Sequence, residues 1–145
     1  MITPDLIVIP QVGVGDIQLD SSEPTIKAAM GGARCVSRIG TVLKVRTDFY
    51  VDTGLCVHYE ENGLCEAIEV FPPGRATLFG QQLLGEPLSE WIRRLANLDP
   101  GTIATSQGCR STVIGVGLYA PECVRSPDAP VKSVIVFRKG YYERH

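Results

Sequence analysis

The amino-acid sequence predicts an α+β fold made of two tandem units, each a helix followed by an antiparallel meander of strands. An internal repeat with an offset of about 65 residues predicts the tandem arrangement. Strand-like runs bounded by turn residues, placed after each helical stretch, predict the α+β class. The units cover about 13–74 and 76–142, and we expect them to share one core, so that residues 1–145 form a single compact domain.

Three pairs of segments carry the repeat. "GDIQLDSSEPTIKAAM" (15–30) aligns without a gap with "GQQLLGEPLSEWIRRL" (80–95). "CEAIEVFPPG" (65–74) aligns with "VKSVIVFRKG" (131–140) at almost the same offset. Between them, "LCVHYE" (55–60) aligns with "IGVGLY" (114–119) with a small gap. Few residues are identical, but the same order of the three segments in both halves favours a duplicated unit.

The first unit follows a short strand, "DLIVI", which Pro10 closes. Ser21 or Ser22 can cap a helix that has Pro24 in its first turn and ends at Gly31-Gly32. Apolar residues three and four positions apart predict its buried stripe: Ile26, Ala29 and Met30. Strands are then predicted over 41–51, 55–60 and 65–71.

The second unit contains a helix predicted from Pro87 to about residue 97, ended by "DPG" at 99–101. Its predicted apolar face consists of Leu88, Trp91, Ile92 and Leu95. We interpret Trp91 as a core anchor, because a tryptophan on a helix stripe usually packs inward. Strands are predicted over 102–105, 112–119 and 132–137, and the proline-rich segment 121–130 is predicted to be a loop.

Gly115 and Gly117 lie within one of these predicted strands and leave one face of it bare. Glycine in a strand interior often marks a position that another segment approaches closely. We therefore expect a helix or backbone segment to pack over this strand.

The segment "GLCVHYEENGLCEAIEVFPPG" (54–74) predicts a β-hairpin, because apolar and polar residues alternate on both sides of Asn62-Gly63. Asn-Gly is typical of a two-residue type I′ turn, which requires positive φ at both positions. With that turn, one face is apolar and is expected to face the core: Leu55, Val57, Tyr59, Ile68 and Val70. The opposite face is predicted to be in solvent: Cys56, His58, Glu60, Cys65, Ala67 and Glu69.

This polar face is compatible with several functions. Cys56, His58 and Cys65 could bind a metal ion, and His58 beside either cysteine resembles a catalytic base and nucleophile. A flat sheet, however, offers no helix N-terminus or glycine nest to stabilise an oxyanion, and the chain has two histidines in all. We predict no enzyme, cofactor or metal site, and keep a small-ligand or metal-binding module and a cysteine/histidine enzyme as alternatives.

Charge and composition narrow the possible partners. Lys and Arg number 14 against 16 Asp and Glu, and the net charge of −2 with no basic run disfavours nucleic-acid binding. No stretch resembles a signal peptide or approaches the about 20 apolar residues that span a bilayer, so we expect a cytoplasmic protein that does not bind membranes. Five cysteines without a CxxC pair are expected to be free thiols in that compartment.

Three segments cover most of the chain: "VGVGDIQLDSSEPTIKAAMG", "GLCVHYEENGLCEAIEVFPPGRATLFGQQLLGEPLSEWIRRL" and "VIGVGLYAPECV…PVKSVIVFRKGYYE". Together they resemble immunity proteins of bacterial polymorphic and contact-dependent toxin systems. The doubled helix-plus-sheet arrangement is also similar to the architecture of the β-lactamase inhibitory proteins. The chain departs from those secreted inhibitors because it shows neither a signal peptide nor an obvious disulfide pair.

The resemblance implies stoichiometric inhibition of a cognate toxin domain by protein–protein binding in the cytosol. The acidic residues around the hairpin turn favour a basic partner surface. The sequence carries no signal for an oligomeric state. The candidate partner-binding residues are Asp48, Phe49, Tyr50, Asp52, His58, Glu60, Glu61, Asn62, Glu66, Glu69 and Tyr119.

Overall fold

The computed structural model of the protein describes residues 5–42 and 45–144. Helices and strands are both present, with 40% of the chain in strands and 18% in helices, so the broad α+β class is confirmed. In chain order the strands are β1 (Asp5–Ile9), β2 (Gly13–Val14), β3 (Ile17–Gln18), β4 (Val36–Ile39), β5 (Arg46–Tyr50), β6 (Leu55–Tyr59), β7 (Cys65–Val70), β8 (Arg75–Leu78), β9 (Gln81–Gln82), β10 (Ile103–Thr105), β11 (Gly108–Ser111), β12 (Val116–Tyr119) and β13 (Ser133–Phe137). The helices are α1 (Glu23–Ala29), α2 (Leu88–Leu98) and α3 (Tyr141–Arg144).

The strands form two sheets. The larger sheet has eight antiparallel strands in the order β10-β11-β12-β13-β7-β6-β5-β4. The smaller sheet has the order β3-β2-β1-β8-β9, and its central pair, β1 and β8, is parallel. In the larger sheet, the four strands that follow α1 pair with one another in sequence, as do the four that follow α2. The pair β7–β13 joins the two groups.

Both longer helices lie close to their predicted positions. α1 has Ser22 as its N-cap and Pro24 in its first turn, and Ile26 is buried as expected. Ala29, in contrast, is exposed, so the predicted buried stripe is wrong at this position. Met30 is partly buried against the core.

α2 buries Leu88, Trp91 and Leu95, which confirms the predicted apolar face. Its N-cap, Pro87, makes no side-chain cap. The predicted loop supplies the missing partners: the backbone N–H of Leu88 donates to the Ala129 carbonyl at 2.9 Å, and that of Ser89 donates to the Pro127 carbonyl at 3.0 Å. The proline-rich loop therefore completes the start of the helix.

The hairpin β6–β7 has the predicted register from Leu55–Val70 to His58–Ala67. Its turn differs from the prediction. Gly63 has φ 84°, but Asn62 is not among the residues with positive φ, which excludes a type I′ turn. The Gly63 N–H donates to the Glu60 carbonyl at 2.9 Å, and the Asn62 carboxamide oxygen accepts from the Leu64 N–H at 2.9 Å, so the loop is one residue longer than expected.

Next to this longer loop, the register of the hairpin shifts between His58 and Tyr59, so that Tyr59 pairs with Cys65. The shift marks a β-bulge. A bulge places two residues of one strand opposite one residue of the other and so breaks the alternation of faces. As a result, Cys65 joins the core cluster with Tyr59 rather than the polar face. Glu66 is also buried, with 6% of its surface exposed.

One hydrophobic core cluster contains residues from both sheets and from α1 and α2, including Ile26, Ile68, Trp91 and Val136. The indole N–H of Trp91 donates to the Gln82 carbonyl at 3.1 Å, which ties α2 to β9. The helices and the smaller sheet therefore share one core with the inner face of the eight-stranded sheet.

Other strands differ from the predictions in their extent. The strand predicted over 41–51 is present as β5, while 41–42 form a bend and 43–44 lie outside the described residues. The strand predicted over 112–119 begins at Val116, because 112–115 form the turn from β11. The sequence did not predict β4 and β11 as strands.

Candidate functional site

The face of the eight-stranded sheet turned away from α1 and α2 is the candidate functional site, and we call it the open face. Paired residues in antiparallel strands lie on the same side of a sheet, so the strand register identifies its members. One row crosses all eight strands: Ile103, Arg110, Gly117, Ile135, Glu69, Cys56, Phe49 and Val36. Neighbouring rows add Arg38, Thr47, His58, Ala67, Phe137, Tyr119 and Ser133.

Large side chains on this face reach solvent at both edges of the sheet. Val36 is 54% exposed on β4, Ile103 is 47% exposed on β10, and Tyr119 is 45% exposed on β12. In the centre, Cys56 and Phe137 are buried and Ile135 is half-buried. The open face therefore combines an apolar centre with accessible apolar groups at its margins.

The C-terminal helix α3 packs over part of the open face. Tyr142 stacks edge-on to Phe137 with ring centroids 4.8 Å apart, and Tyr141 lies 5.7 Å from the same ring. A Cβ at Gly117 would lie 3.4 Å from the Tyr142 hydroxyl and 2.9 Å from Ile135 Cγ2. The expected close approach over this glycine-bearing strand is therefore present, and α3 makes it.

Arginine and aromatic side chains pair at two places on the open face. The Arg110 guanidinium lies 4.6 Å from the centroid of the Tyr142 ring, and that of Arg38 lies 5.7 Å from the Phe49 ring. Both distances fall within the range of a cation–π contact. Arg110 Nε is buried and makes no hydrogen bond within the described residues.

A groove of ≈ 320 Å³ crosses the open face beside the first of these pairs. Its walls include Glu69, Arg110, Tyr119, Ser133 and Tyr142. Arginine, two tyrosine hydroxyls, a serine and a carboxylate thus meet in one depression. This mixture of an aromatic surface with a few directional polar groups suits the recognition of a polar side chain of a protein partner.

Cys56, His58 and Glu69 form a close polar cluster at the centre of the open face. The Cys56 Sγ lies 3.5 Å from His58 Nε2, which lies 3.8 Å from Glu69 Oε1. The Ser133 hydroxyl donates to Glu69 Oε2 at 3.1 Å. The hydrogen bond with His58 and that from Ser133 lower the pKa of Glu69 against the opposing effect of its burial.

The thiol of Cys56 is poorly suited to nucleophilic catalysis. Burial raises its pKa to about 12, and the negative charges of Glu69 and Asp48 act in the same direction. A catalytic cysteine needs a lowered pKa so that the thiolate is present at neutral pH. Cys65, the other predicted nucleophile, is in the core, and burial raises its pKa to about 12 as well.

Three of the predicted partner-binding residues are buried and cannot contact a partner in this structure. Asp48 is fully buried on the core face, where its Oδ1 accepts from Arg46 Nε at 2.7 Å. Tyr50 lies two residues further along the same face and is also buried. Glu66 is buried beside the bulge. We remove these three residues from the candidate surface.

The glutamates near the hairpin turn do not form an open acidic patch. Glu60 pairs with Arg138, which also binds Asp20 at 2.6 Å. Glu69 is bonded to His58 and Ser133, and Glu66 is buried. Glu61, in contrast, is exposed at the turn, as is Asn62. These glutamates therefore do not support the prediction that the partner binds here through a basic surface.

The other predicted residues lie on the open face or at its ends. Phe49, His58, Glu69 and Tyr119 belong to the open face itself. Asp52 is exposed in the turn between β5 and β6, 3.4 Å from Arg34. Arg38 and Arg110 also lie on the open face. The sequence does not indicate them, because β4 and β11 lack a clear strand pattern from which a face could be predicted.

Comparison of the chain with protein-family models, with curated proteins and with solved structures gave no match. Among the helices of the described residues, none has the length and apolar character needed to cross a membrane.

Proposed function

We propose that this chain is an immunity protein, which neutralises a cognate bacterial toxin in the cytosol by stoichiometric binding rather than by catalysis. The observation that carries the proposal is the open face, a wide sheet surface on which Arg38 and Tyr119 are exposed and Arg110 lines a groove. Tyrosine and arginine are among the residues that most often dominate the binding energy of protein interfaces.

The dimensions of the open face suit a protein partner better than a small ligand. Eight strands spaced about 4.8 Å apart span about 34 Å, and strands of this length extend about 13–20 Å. The sheet therefore has an area of about 440–680 Å², and α3, which covers part of it, adds its own outer surface toward the roughly 800 Å² that each partner contributes to a standard interface. The turns at its ends, with Asp52 on one side and Glu61 and Asn62 on the other, extend the surface toward that size.

Charge on the open face favours an acidic partner. Arg38 and Arg110 pair with aromatic rings, whereas the central carboxylate, Glu69, is bonded within the protein. A carboxylate of the partner in the groove would lie beside the guanidinium of Arg110, which forms part of the groove wall. This expectation replaces the basic partner surface suggested by the sequence.

A duplicated helix-plus-meander unit accounts for the width of this surface. α1 precedes β4–β7 and α2 precedes β10–β13, and the two groups of strands meet at β7–β13. Two aligned pairs of residues support the duplication: Gly15 and Gly80 have φ of 56° and 76°, and Ile26 and Trp91 are both 1% exposed. One unit alone would present a four-stranded face, too narrow for a standard interface.

Growth rescue tests the proposal. The product of the neighbouring open reading frame would be expressed in a bacterial host with and without this chain. We expect that product to arrest growth and the chain to restore it. The double variant Arg38→Glu/Tyr119→Ala, placed on the open face, should weaken the complex at least about tenfold, because such side chains commonly contribute more than 1 kcal/mol each.

Arg93→Glu is the matched control for charge reversal. Arg93 lies on the solvent side of α2, opposite the open face, and its side chain is 70% exposed. We expect this variant to rescue growth like the wild type. Equal rescue by the open-face double variant, or no rescue by the wild-type chain of a toxic neighbour, would contradict the proposal.

A further inference from the structure

We propose that Cys56, His58 and Glu69 bind a divalent transition-metal ion of the zinc class. The three residues come from β6 and β7, where Cys56 and His58 are two positions apart on one strand and Glu69 is paired with Cys56 on the next. This spacing directs all three side chains to the same side of the sheet. Their sulfur, nitrogen and oxygen atoms lie within 4.8 Å of one another. Among the described residues, these three side chains are close enough together to share a metal ion.

The spacing of these atoms matches a tetrahedral site. Zinc binds thiolate sulfur at about 2.3 Å, imidazole nitrogen at about 2.0–2.1 Å and carboxylate oxygen at about 2.0–2.2 Å, which places neighbouring ligand atoms about 3.3–3.6 Å apart. The observed separations are 3.5 Å from Cys56 Sγ to His58 Nε2 and 3.8 Å from that nitrogen to Glu69 Oε1. The third pair, Cys56 Sγ and the Glu69 carboxylate oxygen, lies within 4.8 Å, so the side chains must rotate to bring these two atoms about 1 Å closer at most.

The surroundings of the cluster also suit a metal ion. Ser133 donates to the second oxygen of Glu69 and so fixes the orientation of the carboxylate, as outer partners of metal ligands commonly do. The side chains of His58 and Glu69 are 28% and 34% exposed, so a fourth ligand can approach from solvent, while the sulfur is buried. Three protein ligands and one open position are typical of zinc sites that accept an exogenous ligand.

Binding of the metal ion releases one proton from the protein. The Cys56 thiol carries its proton at neutral pH, as expected for cysteine, whose ordinary pKa is about 8.5. The metal ion replaces that proton, the sulfur binds as thiolate, and the proton leaves to the buffer. The neutral His58 ring binds through Nε2 and keeps its proton on Nδ1, and Glu69 binds as the carboxylate.

The sequence analysis considered a different ligand set, with Cys65 as the third ligand. The bulge at Tyr59 moves Cys65 into the core and leaves Glu69 as the residue that faces Cys56 and His58. The inference goes beyond the proposed function and does not depend on it, since a metal ion can bind whether or not a toxin docks on the same face.

Titration with metal ions tests the inference on the purified full chain. We expect Zn²⁺ to bind at one equivalent in isothermal titration calorimetry, with one proton released when buffers of different ionisation enthalpy are compared. Co²⁺ should give the thiolate-to-cobalt charge-transfer band in the near ultraviolet together with the visible bands of a tetrahedral ion. Cys56→Ser should abolish the charge-transfer band, and Glu69→Gln should weaken binding at least about tenfold.

Cys123→Ser is the matched control, because Cys123 is a partly exposed thiol in the loop after β12. It should leave the stoichiometry and the cobalt spectrum unchanged. The inference is overturned if the wild type shows no saturable binding, or if folded Cys56→Ser keeps the charge-transfer band. Circular dichroism checks the fold of each variant. If Cys56→Ser does not fold, the Glu69→Gln variant provides the test. Weaker metal binding by folded Glu69→Gln supports the site, and unchanged affinity overturns the inference.

Discussion

Replacement of Gly54 by alanine should destabilise the protein far more than the same replacement at Gly63. The two glycines lie at opposite ends of β6, and both have positive φ, 79° and 84°. They differ in their surroundings. A Cβ at Gly54 would lie 2.1 Å from the Phe71 carbonyl oxygen and 2.3 Å from the Gly74 nitrogen, whereas a Cβ at Gly63 would meet nothing within 4 Å.

The magnitudes follow from these contacts. Alanine in the left-handed region costs about 1–2 kcal/mol at either position. At Gly54 the Phe71 backbone must also move by about 1 Å to reach an ordinary contact distance, given that Cβ contacts below 3.0 Å essentially never occur. That movement disrupts the bonds from Phe71 N to Gly54 O at 2.9 Å and from Gly74 N to Phe71 O at 2.8 Å. At about 0.5–1.5 kcal/mol for each bond, Gly54→Ala should cost about 2–5 kcal/mol in total.

Urea unfolding followed by the fluorescence of Trp91, the sole tryptophan, measures both free energies of unfolding. We expect the Gly54 variant to be less stable than the Gly63 variant by about 1–3 kcal/mol, the contribution of the two disrupted bonds. Equal stabilities would show that the backbone around 71–74 yields freely. That result would refute the close packing of the β5–β6 turn against the end of β7.

Further predictions concern the thiols and the response to acid. In the native protein we expect Cys35 and Cys123, which are partly exposed, to react quickly with a thiol-specific disulfide reagent at neutral pH. The remaining thiols are those of Cys56, Cys65 and Cys109, and all three are buried. Burial raises the pKa of Cys56 and of Cys65 to about 12 and that of Cys109 to about 11. We expect these three thiols to react only after unfolding. Five fast-reacting thiols in the folded state would contradict the burial. The interactions with His58 and Ser133 lower the pKa of Glu69 below its ordinary value of 4.5. The ionised Glu69 carboxylate therefore stabilises the fold fully above pH 4.5. This stabilisation is lost as the pH falls through the lowered pKa. The stability difference between the wild type and Glu69→Gln should therefore shrink under acid, and a difference that grew as the pH fell would contradict the assignment.

Much of the fold is accessible from the sequence wherever a pattern is long and regular. The helix at 88–98 has apolar residues on one stripe and a turn sequence after it, so its position and buried face were predicted. The hairpin register was predicted between Leu55 and His58, because a one-residue slip would bury charge. β11, "GCRS", has weak strand propensity of its own and becomes a strand by pairing with β10 and β12, which no local pattern indicates.

The candidate site was predicted only in part, for reasons that lie in single residues. His58, Glu69 and Phe49 lie on the open face, and alternation along the hairpin places the first two there. Because of the bulge at Tyr59, Cys65 and the adjacent Glu66 do not lie on the faces that the alternation along the strand predicts. The pattern of apolar and polar residues does not show where a bulge will occur. Asp48 is paired with Val57, so it faces the core despite its charge.

Titration of the purified product of the neighbouring open reading frame, which we propose to be the toxin domain, tests the central claim most directly. The toxin's activity would be measured against increasing amounts of the wild-type chain and of Arg38→Glu/Tyr119→Ala. We predict that inhibition by the wild type is complete at one molar equivalent, and that the double variant requires at least about tenfold more protein. Inhibition at far less than one equivalent, or identical curves for the two proteins, would contradict stoichiometric binding through the open face.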